Sequence, residues 1–385
     1  MTTSEPATNL LFAAGSFHQG GTAVNTMPHR RFEVVRRPAG LLAATLVGLL
    51  LPGGAGAQAI TDLQTARKGP LILKEQGSFY VGGRDVFSDA PRIVAGAPAP
   101  GDITIEQLYV QYQVPADDNK HVPVVFVHGC CLSSKTWETT PDGRMGWAEY
   151  FVRNGHPTYL ADQSSRARSG FNATIYNEVK LGIQPSTALP NILMGTHQFA
   201  WSVFRFGPSF GVAWPDEQFP VDKVDELYRQ MIPDLNATLT PTANPTWANM
   251  AALAHQLGGA VLVGHSESSS YPTRAALIDP TGVRGIIQLE TGCLTTLTPD
   301  QIAILARIPI LIVVGDHMAT PQPPPSCVTM MSLVNGAGGD MTFDLLPDLG
   351  LHGNSHMFMQ DKNNLQVADV LLAWIAQHVE GKNGR

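Results

Sequence analysis

The segment Val261–Ser268 reads VLVGHSES and sets Ser266 between an apolar, β-branched run and Tyr271–Leu277, a stretch suited to a helix. Strand, tight turn and helix is the order that pushes a serine hydroxyl out of a sheet, over a helix N-terminus. Gly264 leaves room for strand and helix to approach, and Ser268 is a small residue where a second glycine is usual. Short motifs of this kind recur in ordinary loops, so the serine gains meaning only from its company. A serine hydroxyl is a poor nucleophile at neutral pH. It needs a base within reach, a carboxylate behind that base, and N–H donors for the oxyanion.

Each part has candidates. Val127-His128-Gly129-Cys130-Cys131 follows an apolar run, and the backbone N–H of Cys130 or Cys131 is placed to meet a substrate oxygen. The N–H of Glu267, directly after the serine, is the second donor. Two carboxylates end strands: Glu290 after Gly285–Leu289 and Asp316 after Ile308–Val314, with position alone favouring Asp316. Both strand ends fall on the carboxyl edge of a parallel sheet, where sites collect. His352 and His356 both stand between the last strand and the last helix, where a base is expected. Spaced four apart they could also ligate a metal. No third ligand cluster stands nearby and Gly353-Asn354 breaks a helix, so no metal or other cofactor is expected. His255, His265 and His317 read as loop or packing residues.

These residues must be positioned by a scaffold. Val122–Val127, Thr158–Ala161, Ala260–Val263, Gly285–Leu289 and Ile308–Val314 are continuous apolar runs, as expected of strands covered on both faces. Thr342–Leu346 is the last strand. Leu71–Lys74, Ser78–Val81 and Ile103–Val114 predict an N-terminal antiparallel meander. Helical stretches intervene at Trp147–Arg153, Trp247–Gln256 and Pro299–Ala306, and Leu365–Val379 closes the chain. The alternation predicts an α/β fold with a mostly parallel sheet flanked by helices. Between Asp162 and Ala260 the chain makes an excursion far longer than one crossover helix, and long excursions are commonly lids. Residues 175–246 are expected to form a helical cap before the nucleophile strand. Its aromatic residues Phe199, Trp201, Phe204, Phe206, Phe210, Trp214 and Phe219 either face a substrate or pack on the sheet.

The 385 residues carry a formal net charge of −7 and are 44% hydrophobic, which fits a globular protein with a real core. No basic excess or aromatic–basic stripe marks a nucleic-acid partner. Arg30, Arg31, Arg36 and Arg37 precede an apolar run from Leu41 to Leu51, followed by Ala55-Gly56-Ala57. That order predicts a secretory signal over residues 1–57 and a domain over 58–385, in a secreted or periplasmic protein. The apolar run is too short for a stable membrane span. In an oxidising compartment the four cysteines allow three pairings, and adjacent Cys130 and Cys131 either bond to each other or reach distant partners.

Taken together, the His-Gly-Cys-Cys run, Trp137–Trp147 (WETTPDGRMGW) and Gly353-Asn354-Ser355-His356-Met357 resemble a bacterial secreted esterase of the α/β-hydrolase fold with a vicinal disulfide beside its oxyanion hole. The resemblance runs from about Gly69 to Ile375 and is weakest in the cap. It implies a triad of Ser266, Glu290 and His356, leaving Asp316 and His352 as the alternative acid and base. It also implies Cys130–Cys131 and Cys293–Cys327 disulfides. The chain departs from that pattern at Glu267, whose charge beside the serine would repel anionic substrates. The function implied is cofactor-free hydrolysis of small-molecule carboxylic esters through an acyl-enzyme. The rivals are an amidase, thioesterase or lactonase with the same parts, a zinc hydrolase using His352 and His356, and a non-catalytic binding protein. A homodimer is compatible with the sequence, which leaves the oligomeric state open.

Overall fold

The computed structural model describes residues 69–88, 100–117, 121–235, 244–290 and 292–381. The expected signal segment, 1–57, lies outside the described residues, as do 236–243 of the expected cap. Eight strands form one sheet: β1 (Leu73–Ser88), β2 (Gly101–Pro115), β3 (Val124–Val127), β4 (Thr158–Asp162), β5 (Ala260–His265), β6 (Val283–Leu289), β7 (Ile310–Val314) and β8 (Met341–Leu345). Their spatial order is β1-β2-β4-β3-β5-β6-β7-β8. β1 and β2 pair antiparallel, β2 meets β4 antiparallel, and every later pairing is parallel.

One expectation is corrected at the N-terminus. Leu71–Lys74 and Ser78–Val81 are not two strands of a meander but parts of the single long β1, paired with β2 from Leu73↔Pro115 to Ser88↔Gly101. Gly77 and Gly82-Gly83 look like breaks in the sequence, yet cross-strand pairing carries the strand through them.

The helices are α1 (Trp147–Arg153), α2 (Thr174–Lys180), α3 (His197–Val203), α4 (Val224–Gln230), α5 (Pro245–Gln256), α6 (Tyr271–Ile278), α7 (Pro299–Leu305), α8 (Pro325–Gly336) and α9 (Asn364–Trp374). The inner strands β3 and β7 are apolar at every position because alternate residues feed two cores. Val124, Phe126, Val261, Val263, Leu311 and Val313 pack with α9 residues on one face. Val125, Val127, Leu262, Ile310 and Ile312 pack with α5 and α8 residues on the other. Asn244 caps α5 through Thr246 N–H, and Thr298 with Gln301 forms a capping box at α7.

The excursion between β4 and β5 carries α2 to α5. Its aromatic residues divide. Trp201, Phe204, Phe206 and Phe219 are buried in the core cluster, whereas Phe210 is exposed. Most of that run is therefore packing.

Candidate active site

Ser266 follows β5 directly and has φ 57°, a left-handed conformation that strains a residue with a β-carbon. The turn is tight for a stated reason. A β-carbon at Gly264 would lie 2.0 Å from the Ser268 carbonyl oxygen, and one at Gly129 would lie 2.9 Å from Ser266 Cβ. Ser268 does more than stay small. Its hydroxyl accepts from His265 N–H at 3.0 Å and lies 3.0 Å from the Val127 carbonyl, so it bolts the turn to β3. Among the described residues, no hydrogen bond engages the Ser266 hydroxyl.

His356 is buried in the loop before α9. Its Nδ1 donates to Glu290 Oε2 at 3.0 Å. Its Nε2 is buried with no hydrogen-bond partner among the described residues. The loop is held by Asp361, which accepts from Ser355 N–H at 2.8 Å, the Ser355 hydroxyl at 2.7 Å and Asn354 Nδ2 at 3.0 Å. Burial pushes the Asp361 carboxyl up to about 6 against these donors. His265, expected to be packing, is fully buried and joins the serine turn to the histidine loop. Its Nε2 donates to the His356 carbonyl at 2.9 Å, and the two rings lie 4.8 Å apart. Burial, then the neighbouring imidazole, lowers its pKa to about 3, so it is neutral.

Glu290 ends β6 with φ 67°. Its Oε1 accepts from Gly315 N–H at 2.9 Å and Arg205 Nη2 at 2.8 Å, and its Oε2 from Arg205 Nη1 at 2.7 Å. Burial alone would raise this carboxyl. The Arg205 and His356 charges outweigh burial and hold it well below the usual carboxylate range.

The alternative pair stands elsewhere. Asp316 accepts from His317 N–H at 2.7 Å and Gly353 N–H at 3.0 Å, so its carboxylate braces the loop. His352 is exposed, with its Nδ1 4.0 Å from Asp316. Among the described residues, three groupings could hold an ion: His121, His156 and Glu380; Cys130, Cys131 and Asp234; and Asp216, Asp316 and His317. His352 and His356 share no such grouping.

The loop after β3 is tied down by His128, which the sequence placed in the loop motif, and by Arg166, which sequence reasoning passed over. His128 is fully buried; its Nδ1 donates to the Gly129 carbonyl at 2.9 Å and its Nε2 accepts from Gln163 N–H at 3.2 Å. Burial, then the Arg166 charge, lowers its pKa to about 4. Arg166 Nη1 donates to the same Gly129 carbonyl at 3.0 Å. Arg166 Nη2 pairs with Glu267 at 2.8 and 2.6 Å and with buried Asp234. In a trans peptide, C=O and N–H point opposite ways, so gripping the Gly129 oxygen also fixes the Cys130 N–H. The Glu267 N–H opens the first helical turn after the serine, where such groups lack intrahelical acceptors.

Cys131 has φ 61°, and its carbonyl accepts from Ile232 N–H at 2.9 Å. The Cys130 and Cys131 sulfurs stand 2.7 Å apart. Cys293 and Cys327 are joined by a disulfide.

The fold and this pocket define an α/β-hydrolase. A bacterial esterase of known structure superposes with a TM-score of 0.77 at 45% identity, covering 82% of this chain and 99% of its own. A "Probable secreted lipase" from a fungal species is 26% identical over 347 residues, spanning 75% of this chain and 93% of its own. No family model matches the chain. The chain belongs to the α/β-hydrolase esterases, the family of that bacterial enzyme.

Proposed function

We propose that the protein hydrolyses carboxylic esters through Ser266, His356 and Glu290. The observation that carries this reading is the His356 ring. One nitrogen is bonded to a buried carboxylate at 3.0 Å, the other is buried and unpaired, and the loop bearing it is tied to the elbow of an unengaged serine. Ser266 Oγ attacks the ester carbonyl while His356 Nε2 takes its proton. Glu290 holds the Nδ1–H tautomer and stabilises the imidazolium. The Cys130 and Glu267 N–H groups receive the oxyanion, and such a donor is typically worth roughly 2.7–4 kcal/mol. His356 then protonates the leaving alcohol, and water, deprotonated by the same ring, attacks the acyl-enzyme and releases the acid.

The anionic-repulsion expectation at Glu267 gives way to a different reading, because its carboxylate is paired with Arg166. Arg166 also lines a mainly apolar cavity of about 380 Å³ with Phe171, Tyr176, Ile192, Ile232 and Leu235, a lining that includes none of the proposed triad residues or oxyanion donors. We place the cap over residues 175–246, the export signal over 1–57, and a vicinal Cys130–Cys131 disulfide in the secreted enzyme. The Cys293–Cys327 disulfide and the secreted relative support export, and the mass of the chain released by a secreting host checks the cleavage site.

Substitution decides the triad. Ser266→Ala should lower turnover of a short-chain nitrophenyl ester by about 10⁴-fold or more. Glu290→Gln should lose far more than Asp316→Asn, and His356→Ala far more than His352→Ala. Retained turnover in Ser266→Ala, or the reverse order in either pair, rejects the assignment. Amide, thioester and lactone substrates in the same assay separate an esterase from its chemical neighbours.

A further inference from the structure

Arg205 lies two residues past α3, in the excursion between β4 and β5 and not on the sheet that carries Ser266 and Glu290. Its φ of 60° is a strained left-handed conformation for a side-chain-bearing residue. All three guanidinium nitrogens are engaged. Nε donates to the Asp316 carbonyl at 2.8 Å, Nη1 to Glu290 Oε2 at 2.7 Å and Nη2 to Glu290 Oε1 at 2.8 Å. The preceding residue grips the base. The Phe204 carbonyl accepts from His356 N–H at 3.0 Å, and its ring lies parallel to the imidazole with centroids 5.7 Å apart. Two consecutive residues of the excursion therefore hold both the acid and the base.

Resting on the triad reading above, we propose that Arg205 is the positioning residue of the Glu290–His356 pair, supplied to the sheet by the inserted segment. The fork fixes the plane of the carboxylate, because each oxygen has its own N–H donor from Arg205. Asp316, at the strand end that more commonly carries the acid, instead offers its carbonyl to Arg205. A lysine could supply the charge but not the two-point grip.

The guanidinium also sets the charge balance, since Nη1 lies 3.1 Å from His356 Nδ1 as well as from the carboxylate. The other titratable groups facing this assembly are His265 from the end of β5, and Asp361 and Glu217, both within the field of Arg205. His265 is neutral and the two carboxyl groups carry no positive charge, so none of these groups replaces the lost cation.

The test uses the full chain with Arg205→Lys, Arg205→Gln and Glu290→Gln in parallel, reading kcat, KM and the pH profile of kcat/KM, with circular dichroism to check folding. Arg205→Lys should keep the acid limb of the profile and lose about tenfold in kcat, with KM within about twofold. Arg205→Gln should lose about a hundredfold, and its acid limb should move up by about half a unit or more, because a cation opposing the imidazolium is gone. Folded Arg205→Gln with an unmoved limb overturns the proposal, whatever its kcat. If that variant does not fold, Arg205→Lys at wild-type kcat overturns it. Undiminished turnover in Glu290→Gln would instead reject the triad reading, so the two failures are distinguishable.

Discussion

Single residues in this protein carry opposite charge states for reasons of environment. Glu290 stays ionised because Arg205 and His356 face it. Glu217, equally an acid and also buried, has one oxygen accepting from Phe219 N–H at 2.8 Å and the other unpaired. Burial, with smaller contributions from Asp361 and Asp216, raises it from 4.5 to about 8. The sign of the linkage follows. The folded state binds this proton more tightly than the unfolded state, so its stabilising contribution is complete below about pH 4.5 and is lost as pH rises through about 8. Glu217→Gln, which keeps an acceptor and removes the titration, should raise the thermal midpoint relative to wild type at about pH 8–9 and change it little at about pH 4. Melting curves at the two pH values check this; equal shifts at both would reject it.

Among elements, the two loops that would receive an oxyanion belong to β3 and β5 and are joined by an arginine after β4. Arg166 is buried, and its carboxylate partners Glu267 and Asp234 come from the serine turn and the excursion. Burial opposes its charge, but the two carboxylates outweigh burial and raise its pKa. Removing one partner from a buried ion network leaves charges without compensation, at a cost of about 3–5 kcal/mol. Arg166→Met should therefore lose about that much stability in urea unfolding. Adding Glu267→Gln should recover part of it, because one stranded charge is gone. Activity per folded molecule should also fall by about 10²-fold, since the Gly129 carbonyl loses the Arg166 grip that fixes the Cys130 N–H. Stability within about 1 kcal/mol of wild type would show that the network is not integral.

At the scale of the whole molecule, the Cys293–Cys327 disulfide spans a sequence separation of 34 and ties the segment after β6 to α8. Loop-closure entropy for that separation predicts a loss of about 3–4 kcal/mol when both cysteines become serine. Denaturant unfolding of Cys293→Ser/Cys327→Ser measures it. The same variant isolates the other pair. Reductant should lower its ester turnover if Cys130–Cys131 is bonded in the native enzyme, and indifference to reductant would remove that bond from the account.

Sequence alone sufficed for the parts whose signal is local. Apolar runs marked β3 to β7 because strands covered on both faces need no polar alternation. The order of serine, acid and histidine candidates was equally legible, since a strand end followed by a loop is a property of neighbouring residues. The unity of β1 was not, because only pairing with β2 along its whole length joins the two short runs into one strand. Nor could spacing choose between Glu290 and Asp316, or between His352 and His356, whose separation rests on which carboxylate meets which ring. Arg166 and Arg205 belong to no motif. Each acts by lying within 3 Å of groups remote along the chain, and only the folded backbone brings those groups together.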